Sequence, residues 1–131
     1  MKTLLVIAKQ AGLAEAIRAV LDPEQHRVVH QKEMWEAEPL LNQGTIDACV
    51  LDADLTNIQP IRVIEKLRRR MPQCPIIVYT NSKHWEWEEE AYLLGVSQIL
   101  AKPVRARLLN ALLERIWASL PRSPRSCSPA S

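Results

Sequence analysis

Several side chains that can do chemistry stand at the ends of short apolar runs: Lys9 and Gln10 after LLVIA, Asp52 and Asp54 after ACVL, Thr80 and Asn81 after IIVY, and Lys102 after QILA. An acid, a hydroxyl and an amine would meet there, and Asp52, at the end of an uncharged apolar run, is the candidate site residue. Each residue taken singly also has a plain structural use. A strand-end Asp such as Asp52 opens a turn, and Thr80 or Lys102 can cap the end of a strand. The elements around them decide between these uses.

Uncharged apolar runs of this length read as strands buried on both faces of a parallel sheet. Leu4 to Ala8, Ala48 to Leu51 and Ile76 to Tyr79 are three such runs, and Arg27 to His30 and Gln98 to Leu100 add two brief strands. Between them lie helical patterns. Leu13, Ile17, Val20 and Leu21 recur at helical spacing from about Gly12 until Asp22-Pro23. Trp35, Leu40 and Leu41 before Gly44 suggest a short, imperfect helix, with Pro39 at its start or at a break. Pro60 suits a first helical turn, and Val63, Ile64 and Leu67 continue that helix to Met71-Pro72. Asn81 or Ser82 can cap a fourth helix through Leu94, closed by Gly95. Val104 to Leu120 forms a long last helix.

Five strands alternating with five helices predict an α/β fold, a doubly wound parallel sheet covered on both faces. In such sheets ligands collect beyond the carboxyl ends of the strands, which places Lys9, Asp52, Thr80 and Lys102 along one edge. Residues 1–120 are read as a single domain, and 121–131, rich in Pro, Ser and Arg, as a disordered tail or linker.

Composition excludes several classes. The formal net charge of +2 comes from 17 basic against 15 acidic side chains, and Arg122 and Arg125 in the tail account for the difference. No general attraction to nucleic acid follows, and Arg68-Arg69-Arg70 reads as a solvated helix end that complements the helix dipole. Cys49, Cys74 and Cys127 are widely spaced and suggest neither a disulfide framework nor a zinc site. The opening apolar segment is too short for a signal sequence or a membrane span, so a cytoplasmic location is expected.

With these residues in place the chain resembles the receiver domain of bacterial response regulators over residues 2 to about 120, through VLDADL after the third strand, PIIVYT at the fourth and GVSQILAKP across the fifth. The resemblance implies a flavodoxin-like (CheY-like) fold with strand order 2-1-3-4-5. It also implies that Asp52 is the phosphoacceptor, that Thr80 supplies the hydroxyl that follows the phosphoryl group, that Lys102 pairs with its oxygens, and that Lys102-Pro103 is cis. A sensor histidine kinase or an output domain would be the partner.

The chain also departs from that family. Two adjacent acidic residues that hold Mg²⁺ are replaced by Ala8 and Lys9. Gln10 could offer an amide oxygen and Asp54 a backbone carbonyl, but neither restores two charges for a hard cation. No metal and no other cofactor are therefore expected, the Mg²⁺ site being lost or weak. Lys9 would act as a tethered cation in its place, attracting Asp52 by roughly 4 kcal/mol at about 4 Å before desolvation. The loop after Asp52 reads TNIQP, where the family commonly has Pro at the position of Thr56 and Gly at that of Pro60. Ile99 stands where the family has a rotating Tyr or Phe.

The expected function is an atypical pseudo-receiver that binds protein partners, with little or no Mg²⁺-dependent phosphorylation; a working receiver phosphorylated at Asp52 is the alternative. A nucleotide- or flavin-binding enzyme is disfavoured by AKQAGL, a first loop with a single Gly and no phosphate cradle. The expected interaction face comprises the fourth helix, fifth strand and fifth helix, where a second copy of the chain could also dock. On a helical wheel Leu108, Leu109, Leu112, Leu113, Ile116, Trp117 and Leu120 fill about 180°, wider than the roughly 100° a sheet covers. Trp85 and Trp87 cannot both face inward from one helix, and Ile99 lies between the two helices.

Overall fold

A computed structural model describes residues 1–54, 59–81 and 85–119. The elements run β1 (Lys2–Ile7), α1 (Gly12–Val20), β2 (His26–Gln31), α2 (Met34–Gln43), β3 (Ala48–Asp52), α3 (Pro60–Arg70), β4 (Ile76–Thr80), α4 (Trp85–Leu93), β5 (Gln98–Ala101) and α5 (Ala106–Ser119). All four strand pairings are parallel, in the order β2-β1-β3-β4-β5. Leu120, the tail and the loop positions Thr56 to Ile58 lie outside the described residues, as do Ser82 and the side chain of Trp85.

Strand alternation divides the core into two layers. Leu5, Ile7, Cys49, Leu51, Ile76 and Val78 face one side and pack with Met34, Ala37, Leu41, Val63, Ile64, Leu67 and Ala91 from α2, α3 and α4. Leu4, Val6, Ala48, Val50, Ile77 and Tyr79 face the other and meet Ala14, Ile17, Leu109 and Leu113 from α1 and α5. Successive residues thus serve opposite faces, which is why these strands are apolar throughout instead of alternating.

The α2 helix is longer and better defined than its sequence suggests. Glu33 and Glu36 form a reciprocal capping box at its start, and Gly44 closes it at φ 66°. Pro39 lies inside the helix, where its missing N–H leaves one turn without its hydrogen bond. Trp35 is 69% exposed, and Met34 and Ala37 provide the buried contact that the apolar spacing assigns to it.

Arg68 also departs from the solvated end expected of it. Its guanidinium donates to the carbonyls of Leu94 (3.0 Å) and Gly95 (2.9 Å) at the end of α4, and to those of Met71 (3.2 Å), Pro72 (2.8 Å) and Cys74 (2.9 Å) after α3. One cation thereby satisfies carbonyls at two helix ends. Arg70 pairs with Glu38 and Asn42 and ties α3 to α2.

The wide apolar arc of α5 has a core-facing explanation. Leu109 and Leu113 are 0% and 1% exposed, so they pack beneath the helix and offer no surface to a partner. Trp117 turns toward the amino ends of β1 and β2 instead of toward α4. Its Nε1 donates to the Asp47 carbonyl (3.2 Å), its ring stacks on His26 at 5.7 Å, and Lys2 Nζ lies 5.4 Å from the ring centre. Sequence spacing identifies which helical residues are apolar, but not which neighbouring element covers the flank of the stripe.

Candidate functional site

The parallel register brings the strand ends level. Ile7 pairs with Leu51, Asp52 with Tyr79, and Thr80 with Ala101, so Ala8, Asp52, Thr80 and Lys102 emerge at one edge of the sheet. Lys102 N–H donates to the Thr80 carbonyl at 3.1 Å, which extends the β4–β5 pairing by one residue, and the Lys102-Pro103 bond is cis.

Lys102 lies between two carboxylates. Its ammonium is 2.9 Å from Asp52 Oδ1 and 3.0 Å from Asp54 Oδ2, with the three side chains between 15% and 26% exposed. Asp54 collects further donors: Thr80 Oγ1–H at 3.1 Å on Oδ1 and Asn81 N–H at 2.9 Å on Oδ2. The turn itself is closed by Asp52, whose Oδ1 accepts the Asp54 N–H at 2.9 Å.

Burial alone would raise the Asp54 carboxyl, but Lys102, the Asn81 amide and the Thr80 hydroxyl outweigh it and hold the group below its ordinary value. Burial likewise opposes the charge on Lys102, yet the two aspartates hold its ammonium above the usual value. The Lys102 ammonium thus bridges the side chains of Asp52 and Asp54.

On the opposite flank Ala8 is fully buried, while Lys9 and Gln10 are exposed. The Ala8 carbonyl accepts from His30 Nε2 at 2.8 Å, and its N–H donates to the Gln31 carbonyl, so β2 holds the start of the following loop. An open cleft of about 330 Å³, lined by Gln10, Leu13, Asp52, Lys102 and Val104 among others, lies next to the pair. Among the described residues no group of three or more His, Cys, Asp or Glu side chains is placed to hold a metal ion.

At the other end of the expected interaction face, Ile99 is half-buried and Trp87 is partly buried against the α2–α4 layer. Tyr92 and Leu93 are 42% and 80% exposed. The Tyr92 hydroxyl accepts the Ile99 N–H at 3.2 Å, capping the outer edge of β5. The roles of His30, Arg68 and Tyr92 escape a reading by motif because each bonds to backbone, and backbone partners leave no pattern in sequence.

Known proteins resemble this chain in sequence and in fold. Regulator of RpoS from Escherichia coli strain K12 is 31% identical over 85 residues, spanning 65% of this chain and 25% of that protein. Sensor histidine kinase AruS from Pseudomonas aeruginosa is 24% identical over 122 residues, 90% of this chain and 12% of that protein. The chain thus spans a quarter or less of the length of these curated relatives. Among solved structures, the beryllofluoride-activated NtrC4 receiver domain dimer superimposes with a TM-score of 0.82 at 20% identity, covering 92% of this chain and all of that one. A two-component response regulator from Clostridium difficile gives a TM-score of 0.82 at 19% identity, covering 94% of this chain and 100% of that one. Residues 4–114 match the family described as the response regulator receiver domain, and the chain belongs to that family.

Proposed function

We propose that this receiver domain is an atypical one, a protein-binding signalling module whose Asp52 is phosphorylated weakly or not at all with Mg²⁺. The supporting observation is the charge arrangement around Asp52. One flank presents a buried methyl at Ala8 and an exposed cation at Lys9, and on the other Lys102 already bridges Asp52 and Asp54. Mg²⁺ asks for near-octahedral oxygen ligands and sheds its water reluctantly. Asp52 and Asp54 are both engaged by an ammonium, so this donor set fits the ion poorly.

Incubation with acetyl phosphate and Mg²⁺, followed by intact-mass measurement, tests the reading. The parent chain is expected to keep its mass, and Ala8→Asp combined with Lys9→Asp to gain partial labelling. Ready labelling of the parent, abolished in Asp52→Asn, would establish the alternative of a working phosphoacceptor.

The partners that fit this reading are a sensor histidine kinase or an output domain, in keeping with relatives that include a sensor kinase and regulators. The exposed Tyr92 and Leu93 favour the face around α4 for a partner or a second copy. Light scattering and pull-downs with Leu93→Glu check this; an unchanged oligomeric state and unchanged partners would reject that face.

A further inference from the structure

We infer that the Asp54 carboxylate is the resident occupant of an oxyanion seat formed by the Lys102 ammonium, the Thr80 hydroxyl and the Asn81 N–H, so that the parent chain excludes an external phosphate-like oxyanion from this pocket. The inference rests on the proposed reading of the pocket as one that signals without Mg²⁺-dependent phosphorylation, and it names what fills the pocket instead.

Three donors of different kinds, a cation, a hydroxyl and a backbone amide, converge on one carboxylate at 3.0, 3.1 and 2.9 Å. That set is suited to an oxyanion with several oxygens, because each donor approaches from its own direction and one contributes charge. A role in the local turn does not account for the geometry. The turn is closed by the Asp52 carboxylate on the Asp54 N–H, whereas the Asp54 side chain reaches across to the ends of β4 and β5. Asp54 brings Thr80 and Lys102 to a common anion. Because Asp54 is tethered, a free anion competes against an effective concentration on the order of millimolar or more.

The test uses inorganic phosphate as the probe, in EDTA, with amide chemical shifts of Asn81 and Lys102 followed by NMR. Asp54→Ala and Asp52→Asn each remove one negative charge, so they are matched in electrostatics and differ only in whether the seat is vacated. Asp54→Ala is expected to bind phosphate saturably and about tenfold or more tightly than either the parent or Asp52→Asn, a difference of about 1.4 kcal/mol. Asp54→Ser serves as a second vacating variant should the alanine variant fold poorly, and amides remote from the site report folding. Equal binding by Asp52→Asn and Asp54→Ala would reduce the effect to charge and overturn the inference. Absence of binding in both vacating variants would overturn it as well, by showing that the three donors are not an oxyanion seat. Because magnesium is chelated, the result is separable from the acetyl phosphate experiment. Failure of the phosphate ranking in an unlabelled parent rejects the seat and leaves the proposed function standing, whereas ready labelling of the parent rejects the reading on which the seat rests.

Discussion

At the scale of single residues, Lys102 carries more of the site than Asp52 does. Removing Asp52 leaves the ammonium paired with Asp54, so Asp52→Ala does not orphan a charge, as a simple two-residue pair would. The expected cost is about 1 kcal/mol, near the value for a partly exposed pair. Lys102→Met instead leaves two carboxylates facing each other and should cost about 2 kcal/mol, between the exposed and buried limits. Urea denaturation of the two variants gives this order directly, and a larger loss in Asp52→Ala would place the weight of the cluster elsewhere. The pH dependence follows from the directions of the shifts. The Asp54 carboxyl is lowered in the folded chain, so its stabilisation is present above the ordinary value of 3.8 and lost as pH falls through the folded value. The Lys102 ammonium is raised, so its stabilisation is complete below 10.5 and lost as pH rises through the folded value. The difference in melting temperature between the parent and Asp54→Asn should stay level through neutral pH and shrink below about pH 4.

At the scale of elements, the link between α3 and α4 is polar as well as apolar, with Arg68 reaching the carbonyls at the end of α4. Arg68→Ala removes a donor from the carbonyls of Leu94, Gly95, Pro72 and Cys74 at two helix ends, some of them out of easy reach of water, while the Met71 carbonyl keeps the Cys74 N–H. A loss of about 2 to 3 kcal/mol is expected, and Arg68→Lys should recover only part of it because a point cation cannot span both sets. Gly95 belongs to the same joint. Its φ of 94° and the approach of the Arg68 guanidinium to 3.3 Å from an added Cβ make Gly95→Ala strained and crowded, with a loss of more than about 1 kcal/mol. Chemical denaturation measures both, and hydrogen exchange at the end of α4 should rise in each variant. Arg68 is legible in the sequence as one of three arginines at a helix end, but which of the three turns inward depends on its angular position over the α4 terminus.

At the scale of the whole molecule, the chemistry at the carboxyl edge of the sheet is balanced by a polar-aromatic closure at the amino edge, where Trp117, His26, Lys2 and Asp47 meet. Trp117→Ala should destabilise the domain by about 2 kcal/mol, less than a fully buried Trp because the ring is partly exposed. Leu113→Glu would place a carboxylate at a fully buried position and is expected to abolish folding, so it reports on the core and not on a partner. Circular dichroism at one temperature separates these two outcomes. The sequence by itself determined the element order and the arrival of Asp52, Thr80 and Lys102 at one edge, because apolar runs of strand length, separated by helical periodicity, leave few ways to connect a parallel sheet. The tertiary structure alone decided that Lys102 bridges two aspartates, that Asp54 reaches Thr80 and Asn81, and that Leu109 and Leu113 face the sheet from α5. Those facts depend on side-chain direction across strands 26 and 50 residues apart in sequence. Local periodicity encodes which face a residue takes along its own element, but not which atom of another element meets it there.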